Sequence, residues 1–181
     1  TVTYNGNTST GGTAPVDGSS PYYSGSTVTV LGNTGALVKT GYTFNNWNTA
    51  ANGTGTAYAA AATFSISGNT TLYAQWTALP TYTVTYNGNG NSGGTAPVDG
   101  SSPYISGSNV TVLPAGSLVK TNYTFSGWNT LANGTGTGYA AGSTITAIAA
   151  NTTLYAQWTI LPTYTVTYNG NTSTGGTAPV D

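Results

Sequence analysis

The chain has 181 residues, only 3% of them charged, and a formal net charge of −1 at pH 7. Two lysines cannot neutralise the several phosphates of a nucleic-acid partner, and no apolar run is long enough for membrane insertion. Without histidine or cysteine, and with one acidic residue per repeat, the chain has no acid–base pair, activated nucleophile or metal cage. We therefore expect no enzyme, no cofactor and no metal site.

One stretch recurs along the chain with a fixed period. TVTYNGNTSTGGTAPVD occupies residues 1–17, returns with small changes at 83–99, and returns letter for letter at 165–181. Such self-similarity predicts an array of folded modules, and the chain reads as part of something longer. We predict module 1 at 1–77, a linker at 78–81, module 2 at 82–159, a second linker at 160–163, and the first strand and loop of a third, incomplete module at 164–181.

Each repeat opens on a predicted half-buried strand. Residues 82–86 alternate Tyr, Thr, Val, Thr and Tyr, which is the period of a strand with one buried face. Asn87-Gly88 follows, and Asn-Gly is a strong signal for a two-residue turn because both residues tolerate positive φ. A second strand is predicted at 27–31, where Val28 and Val30 alternate with threonine.

The middle of the repeat predicts an irregular aromatic strand. Tyr42 and Phe44 lie two residues apart and share a face, whereas Trp47 lies three residues further on and needs a bulge or bend to rejoin them. The repeat closes at 71–76, where leucine, alanine and tryptophan alternate with polar residues. The only helical signal lies at residues 58–62 and at the matching residues 139–141, and both segments are too short for more than one turn.

These elements predict a mainly β fold of tandem small modules with little or no helix, arranged end to end because the linkers are short and contain proline. An 82-residue unit can bury a single core without a cofactor. We expect the first strand of the third copy to be paired, either within a continuous array or with a neighbouring subunit. The predicted core of module 1 is Val2, Tyr4, Val28, Val30, Leu37, Tyr42, Phe44, Trp47, Phe64, Ile66, Leu72 and Trp76.

Each full repeat holds one lysine and one aspartate, Lys39 with Asp17 and Lys120 with Asp99, beside many asparagines. These are the ingredients of an intramolecular Lys–Asn isopeptide crosslink assisted by a carboxyl group. The simpler interpretation, which we favour, is that the aspartate lies in an Asp-Gly turn and the lysine is a solvated charge on an edge strand.

The aromatic residues allow two interpretations. The four tryptophans fall at strand positions typical of a core, although with asparagine they would also suit sugar stacking. Tyr73 and Tyr155 alternate with the buried positions of the closing strand. They are therefore the candidates for lateral or ligand contacts.

Residues 41–58, GYTFNNWNTAANGTGTAY, and residues 69–77, NTTLYAQWT, resemble the Listeria–Bacteroides repeat, also called the internalin B-type B-repeat. The resemblance covers each full repeat. It implies small β-grasp-like modules that occur in tandem in large extracellular bacterial surface proteins, usually as stalks or spacers and sometimes in adhesion. The chain departs from that family in its scarcity of charges, which disfavours charge-dependent receptor contacts and favours self-packing.

Composition and resemblance together predict a structural extracellular array, located at the cell surface or in a secreted filament. Its role would be that of a stalk, spacer or filament of a bacterial surface protein. Since little net charge keeps copies apart, neighbouring copies of the chain are the expected partners, through an uncharged Thr/Asn/Gly-rich surface. The alternative is a carbohydrate-binding adhesin whose exposed Tyr, Trp and Asn bind a cell-surface glycan.

Overall fold

The computed structural model describes residues 1–180; Asp181, the end of the predicted third-copy loop, lies outside the described residues. The chain forms two compact units, Thr1–Thr81 and a second that begins at Tyr82. We keep the names module 1 for the first unit and module 2 for residues 82–160. No helix occurs in residues 1–180, so the prediction of a mainly β fold is confirmed.

Module 1 is built around one four-stranded sheet in the order β1-β6-β3-β4. The central strand β6 pairs in parallel with β1 and antiparallel with β3, while β2 and β5 form a separate antiparallel pair. The first and last strands of the module therefore lie side by side. The strands are β1 (Val2–Asn5), β2 (Thr27–Thr29), β3 (Tyr42–Asn48), β4 (Ala57–Tyr58), β5 (Thr63–Ser65) and β6 (Thr70–Ala78).

Module 2 repeats this plan with two additional short strands. Its large sheet has the order β12-β11-β14-β8, β10 pairs with β13, and the short strands β7 and β9 pair with each other. The strands are β7 (Thr81–Tyr82), β8 (Val84–Asn87), β9 (Tyr104–Ile105), β10 (Val110–Thr111), β11 (Tyr123–Asn129), β12 (Gly138–Tyr139), β13 (Thr144–Ile145) and β14 (Thr152–Ile160).

The predicted bulge in the aromatic strand is confirmed in both modules. The register of β3 on β6 shifts between Phe44 and Asn46, and that of β11 on β14 shifts between Phe125 and Gly127. The extra residue brings Trp47 back to the buried face, where its ring packs edge-on against Phe44 at a centroid distance of 5.1 Å.

Two aromatic side chains fix one backbone position at the centre of module 1. The Tyr4 hydroxyl accepts a hydrogen bond from the Leu31 amide at 2.8 Å, and the Trp47 indole donates to the Leu31 carbonyl at 2.9 Å. The two rings meet edge to face at 4.8 Å. Trp47 is fully buried, which identifies it as a core residue and not as a sugar-stacking platform.

Most of the predicted core is buried or packs against the buried cluster. The prediction that Tyr42 belongs to the core is wrong, since 40% of its surface is exposed. It lies at the outer end of β3, opposite Ala78, where the Lys39 ammonium sits 4.4 Å from its ring. The cluster also includes Ala74, Tyr22 and Tyr58 among the residues that the prediction omitted.

The Asn-Gly turn is displaced by two residues from its predicted position, since its central residues are Asn7 and Thr8. The turn closes through a hydrogen bond from the Ser9 amide to the Gly6 carbonyl, and the residues with positive φ are Asn7 (46°) and Thr8 (67°). It leads into a loop, because β1 pairs with the distant strand β6 and not with the next strand along the chain. Asn5-Gly6 therefore starts the turn but does not form its centre.

The residues predicted as the linker 78–81 take part in strands on both sides. Ala78 ends β6, the Leu79 amide donates to the Gly41 carbonyl at 2.8 Å, and Thr81 begins β7. Ile160 of the second predicted linker likewise ends β14. Little of the segment 78–81 is left as a free connection, whereas residues 161–163 lie in no strand.

The predicted paired strand of the third copy is wrong for this chain. Residues 161–180 contain no strand and are exposed throughout. The reason lies in the topology: β1 and β8 each pair with the closing strand of their own module, about 68 residues further along. Within residues 161–180 no closing strand is present to pair with the third copy.

Candidate interaction surface

The structure separates the lysine and the aspartate of each repeat. The Lys39 ammonium donates to the Thr8 hydroxyl at 2.8 Å and lies over Tyr42. Asp17 instead accepts from the Ser19 amide at 3.0 Å and from the Tyr22 hydroxyl at 2.9 Å. The proposed crosslink group of module 1 is therefore not assembled, and the aspartate lies in a turn as the simpler interpretation has it.

Module 2 gives the same picture. Lys120 lies 4.6 Å from the ring of Tyr123, while Asp99 accepts from the Ser101 amide at 3.0 Å and the Tyr104 hydroxyl at 2.7 Å. Burial raises the pKa of Tyr104 above its ordinary value, and the hydrogen bond to Asp99 raises it further. The aspartates thus serve to hold a tyrosine in place.

Tyr73 and Tyr155 are less exposed than predicted. Both are half-buried at matching positions of β6 and β14, where Tyr73 pairs with Asn5 on one side and Asn48 on the other. The Tyr73 carbonyl accepts a hydrogen bond from the Gln75 side chain at 3.2 Å. Each residue therefore remains partly exposed.

Two asparagine side chains that would have suited sugar binding, those of Asn7 and Asn48, donate to backbone carbonyls instead. The Asn7 amide donates to the carbonyls of Ala51 and Ala74, both at 2.8 Å. Asn48 is buried and donates to the carbonyls of Gly53 and Gly55. Every buried side-chain nitrogen or oxygen in the described residues has a partner. These groups hold the loops of the module and leave no unpaired buried donor to receive a ligand.

A groove opens along the free edge of β1 in module 1. It has a volume of about 450 Å³ and lies between β1 and the segment 14–17, which carries the exposed Val16. Val2 and Tyr4 line it together with Pro15. The same pattern of residues, 164–168 with 178–180, encloses about 550 Å³ in the third copy.

A smaller cavity lies beside Tyr22 in module 1. In module 2, Tyr82 of β7 packs against the core and β7 pairs with Tyr104–Ile105. The counterparts of that pair in module 1 are Tyr22 and Tyr23; they lie in no strand, and Tyr23 is 89% exposed. A cavity of about 180 Å³ remains there, lined by Thr1, Tyr22, Ser24, Ile66, Ser67, Gly68 and Asn69.

Sequence reasoning did not assign a role to Tyr22, Tyr23 or Tyr164. The available signal was the Leu-Pro-Thr-Tyr segment that stands before the second and third copies of the repeat. Its tyrosine continues the alternation of the first strand, and the prediction that Tyr82 belongs to a half-buried strand with Val84 and Tyr86 is confirmed, since Val84 is buried and the two tyrosines pack against the core of module 2.

Within the described residues no three acidic, histidine or cysteine side chains form a group that could hold a metal ion. The search of the same residues for a helix with the length and hydropathy of a membrane span found none.

Comparison with known proteins identifies a family. The model of the Listeria-Bacteroides repeat domain matches residues 1–75 and 82–157. The chain is 36% identical over 176 residues to a protein of Evansella cellulosilytica named "Putative Gly-rich membrane protein", covering 94% of this chain and 20% of that protein. It is 43% identical over 93 residues to a "Putative membrane protein" of the same organism, covering 51% of this chain and 14% of that protein.

The chain thus spans a fifth or less of the length of these curated relatives. No solved structure matches it. The family is typical of cell-surface proteins. Two tandem family matches, each on a module of the same mixed sheet, show that the chain belongs to the Listeria-Bacteroides repeat family.

Proposed function

We propose that the chain is a structural part of an extracellular bacterial surface protein, in which tandem modules form a stalk, spacer or filament. One observation carries the proposal: in both modules the buried indole, phenol and amide groups form hydrogen bonds with the backbone of their own module. The indoles of Trp47 and Trp76, for example, both donate to backbone carbonyls of module 1. We propose no catalytic activity for these modules.

The family supports the location, since it is typical of cell-surface proteins. The names of the two relatives describe membrane proteins of which this chain would be a small part. An array of modules without enzymatic groups is suited to setting the distance between a membrane or wall anchor and a distal domain. We propose a location at the cell surface or in a secreted filament.

Location and form are tested on the natively purified full-length protein and on the cells that make it. We expect antibodies against module 1 to label intact cells, and electron microscopy to show thin beaded strands or regular filaments. Labelling that requires permeabilised cells would contradict the proposed location. Compact particles without any extended part would contradict the stalk.

Self-association through the uncharged surface is the finer part of the proposal. Ala60 and Ala141 occupy matching exposed positions in the two modules. Because charge disfavours contact between copies, we expect Ala60→Lys with Ala141→Lys to reduce association in sedimentation equilibrium, whereas glutamine at the same positions has little effect. Equal association of the lysine and glutamine variants would show that the uncharged surface is not the contact.

A glycan-binding adhesin is the second candidate, and the exposed Tyr23 is the observation that favours it. An aromatic ring of this kind can stack on a sugar face. Titration with cell-wall oligosaccharides should then perturb the Tyr23 ring signals in NMR, and a Tyr23→Ala variant should lose the binding. Unchanged Tyr23 signals across the titration would remove this candidate.

A further inference from the structure

Asn-Gly pairs occur in both modules, and the structure places them in different surroundings. An asparagine before glycine is open to attack on its side-chain amide by the next backbone nitrogen, because glycine has no side chain to hinder the approach. The surroundings of each pair therefore decide which amide reacts. The pairs in the two modules are Asn5-Gly6, Asn52-Gly53, Asn87-Gly88, Asn89-Gly90 and Asn133-Gly134.

The exposed side chains of Asn5 and Asn87 are held beside the nitrogen that would attack them. The Asn5 Oδ1 accepts a hydrogen bond from the Asn7 amide at 2.8 Å, and the Asn87 Oδ1 accepts one from the Asn89 amide at 2.8 Å. Each bond closes an Asx turn, a small ring of atoms that includes the nitrogen of the intervening glycine. The side-chain carbon Cγ belongs to the same ring, so the two reacting atoms are held together.

A tryptophan fixes the donor side of this ring in each module. The Trp76 indole donates to the Gly6 carbonyl at 3.1 Å, and the Trp158 indole donates to the Gly88 carbonyl at 3.0 Å. These carbonyls belong to the peptide groups whose N–H bonds point at the asparagine Oδ1 atoms. A donor that is already in place stabilises the negative charge that attack would create on Oδ1.

Asn52 and Asn133 form the same turn but differ at the glycine nitrogen. Their Oδ1 atoms accept from the next amide but one at 3.2 and 3.1 Å. The amides of Gly53 and Gly134 each donate to a backbone carbonyl at 3.0 Å, whereas no acceptor in residues 1–180 receives a hydrogen bond from the amide of Gly6 or that of Gly88. Since the nitrogen must lose its proton to attack, the bonded glycines are protected.

Asn89-Gly90 is protected in another way. The Asn89 side-chain nitrogen donates to the carbonyls of Ala132 and Ala156, both at 2.8 Å. This nitrogen is the one that would leave as ammonia. Both hydrogen bonds must therefore break before the Asn89 amide can react.

We propose that Asn5 and Asn87 are sites of spontaneous conversion to aspartate and isoaspartate. Hydroxide removes the proton of the glycine amide, and the glycine nitrogen bonds to the asparagine Cγ while negative charge forms on Oδ1. The Cγ–Nδ2 bond then breaks, and ammonia leaves with a proton from water, which restores the hydroxide. Water opens the resulting cyclic imide at either carbonyl. The net change is an amide and water giving a carboxylic acid and ammonia.

Packing keeps the reactive glycine in place. A Cβ at Gly6 would collide with the Ser9 hydroxyl, and one at Gly88 would collide with the Asn91 side chain. Each conversion adds one negative charge to a chain whose formal net charge is −1, and isoaspartate also lengthens the backbone at the end of β1 or β8. The inference goes beyond the proposed function, because it gives each module a chemical change that accumulates with time.

The test follows all five pairs in the full chain. We would incubate the folded protein at mildly alkaline pH in water enriched in heavy oxygen, digest samples with pepsin in acid to stop the reaction, and quantify each site by mass spectrometry. Incorporated heavy oxygen separates conversion in the folded chain from conversion during digestion. We expect both aspartate and isoaspartate at Asn5 and Asn87.

The expected rates follow from the hydrogen bonds that must break. Asn5 and Asn87 should convert about five- to tenfold faster than Asn52 and Asn133, where one backbone bond protects the glycine nitrogen. Asn89 should convert about tenfold or more slowly than Asn87, because its side chain makes two such bonds.

The same chain unfolded in urea is the matched control, since it keeps the sequence and removes the hydrogen bonds. We expect the differences between the sites to disappear there. A second control is Asn5→Gln, whose longer side chain would have to close a larger ring. Conversion at residue 5 should then stop, while Asn87 continues at the wild-type rate.

Equal rates at Asn5 and Asn52 in the folded chain would overturn the inference. The same order of rates in urea would also overturn it, because the neighbouring residues and not the fold would then set the order. Aspartate without isoaspartate would contradict the cyclic imide. Labelling of intact cells and the form of the array do not depend on these rates, so failure of this inference is distinguishable from failure of the proposed function.

Discussion

The same 17-residue sequence occurs at residues 1–17 and at residues 165–181. Comparing the two copies shows which features of the segment form locally and which depend on the rest of module 1. At residues 1–17 the segment forms β1 and the turn after it, while in the third copy it forms no strand. The turn survives in both places: Asn171 and Thr172 keep positive φ, and the Ser173 amide still donates to the Gly170 carbonyl at 3.0 Å. The turn is thus a local property, and the strand depends on β6.

The largest effect should come from removing the core that holds the first copy. Trp47 is fully buried and contacts Tyr4, so we expect Trp47→Ala to lower the free energy of unfolding of module 1 by about 3–5 kcal/mol. Urea unfolding followed by NMR would measure it module by module. Module 2 is the control, and Trp128→Ala should reverse the pattern. Loss of both modules in either variant would contradict independent cores.

Asn7 and Asn171 sharpen the comparison at the turn. Asn7→Ala removes two hydrogen bonds and puts alanine at φ 46°, so we expect a loss of about 2–4 kcal/mol in module 1. Asn171→Ala should leave the unfolding free energy unchanged, because the Asn171 side chain lies in the exposed third copy. Asn7→Gly loses the same two hydrogen bonds but relieves the backbone strain. Its loss of unfolding free energy should therefore lie between those of Asn7→Ala and Asn171→Ala. Equal changes in unfolding free energy for Asn7→Ala and Asn171→Ala would contradict the view that packing in module 1 gives the Asn7 side chain its role.

The hydroxyl of Tyr4 gives a smaller difference between the first copy of the repeat and the third, where its counterpart is Tyr168. Tyr4→Phe leaves the Leu31 amide without its acceptor, which should cost about 1–3 kcal/mol in thermal or denaturant unfolding. Tyr168→Phe is the matched control and should cost nothing measurable. A neutral result at Tyr4 would indicate that water replaces the phenol.

The smallest effect is a dependence on alkaline pH. Burial raises the pKa of Tyr4 above its ordinary value of about 10, although the hydrogen bond from Leu31 opposes this. Since the folded-state pKa is the higher one, the contribution of Tyr4 is present below pH ~10 and is lost as pH rises through the folded-state pKa. Unfolding free energies measured from pH 8 to 11.5 should fall more steeply for the wild type than for Tyr4→Phe. Parallel curves would contradict this assignment.

Much of the fold followed from local pattern. Alternation located β1 and β6, and the three-residue step from Phe44 to Trp47 required the bulge, because a regular strand would have turned the indole outward. Tyr42 was wrongly predicted to be in the core because alternation shows which face of a strand is buried. It does not show at which residue along the strand the core ends. The parallel pairing of β1 with β6 is contained in no local signal.

The candidate contacts were harder to predict. Lys39 and Asp17 share a repeat, but their partners are set by loops whose paths the composition does not reveal. Tyr23 is 89% exposed whereas Ile105 lies in β9, and neither residue type predicts that difference. The identical residues of the first and third copies likewise did not predict that residues 161–180 contain no strand.

The parallel pairing of β1 and β6 bears on the proposed role of the chain as part of a stalk. A force that enters at Thr1 and leaves at Ala78 pulls these neighbouring strands in opposite directions along their length. Their hydrogen bonds then resist in shear and must break together, whereas an antiparallel hairpin pulled from its open end would unzip bond by bond. Forced unfolding is governed by the unfolding rate rather than by equilibrium stability. A tethered stalk of such modules would therefore withstand tension better than its modest cores suggest.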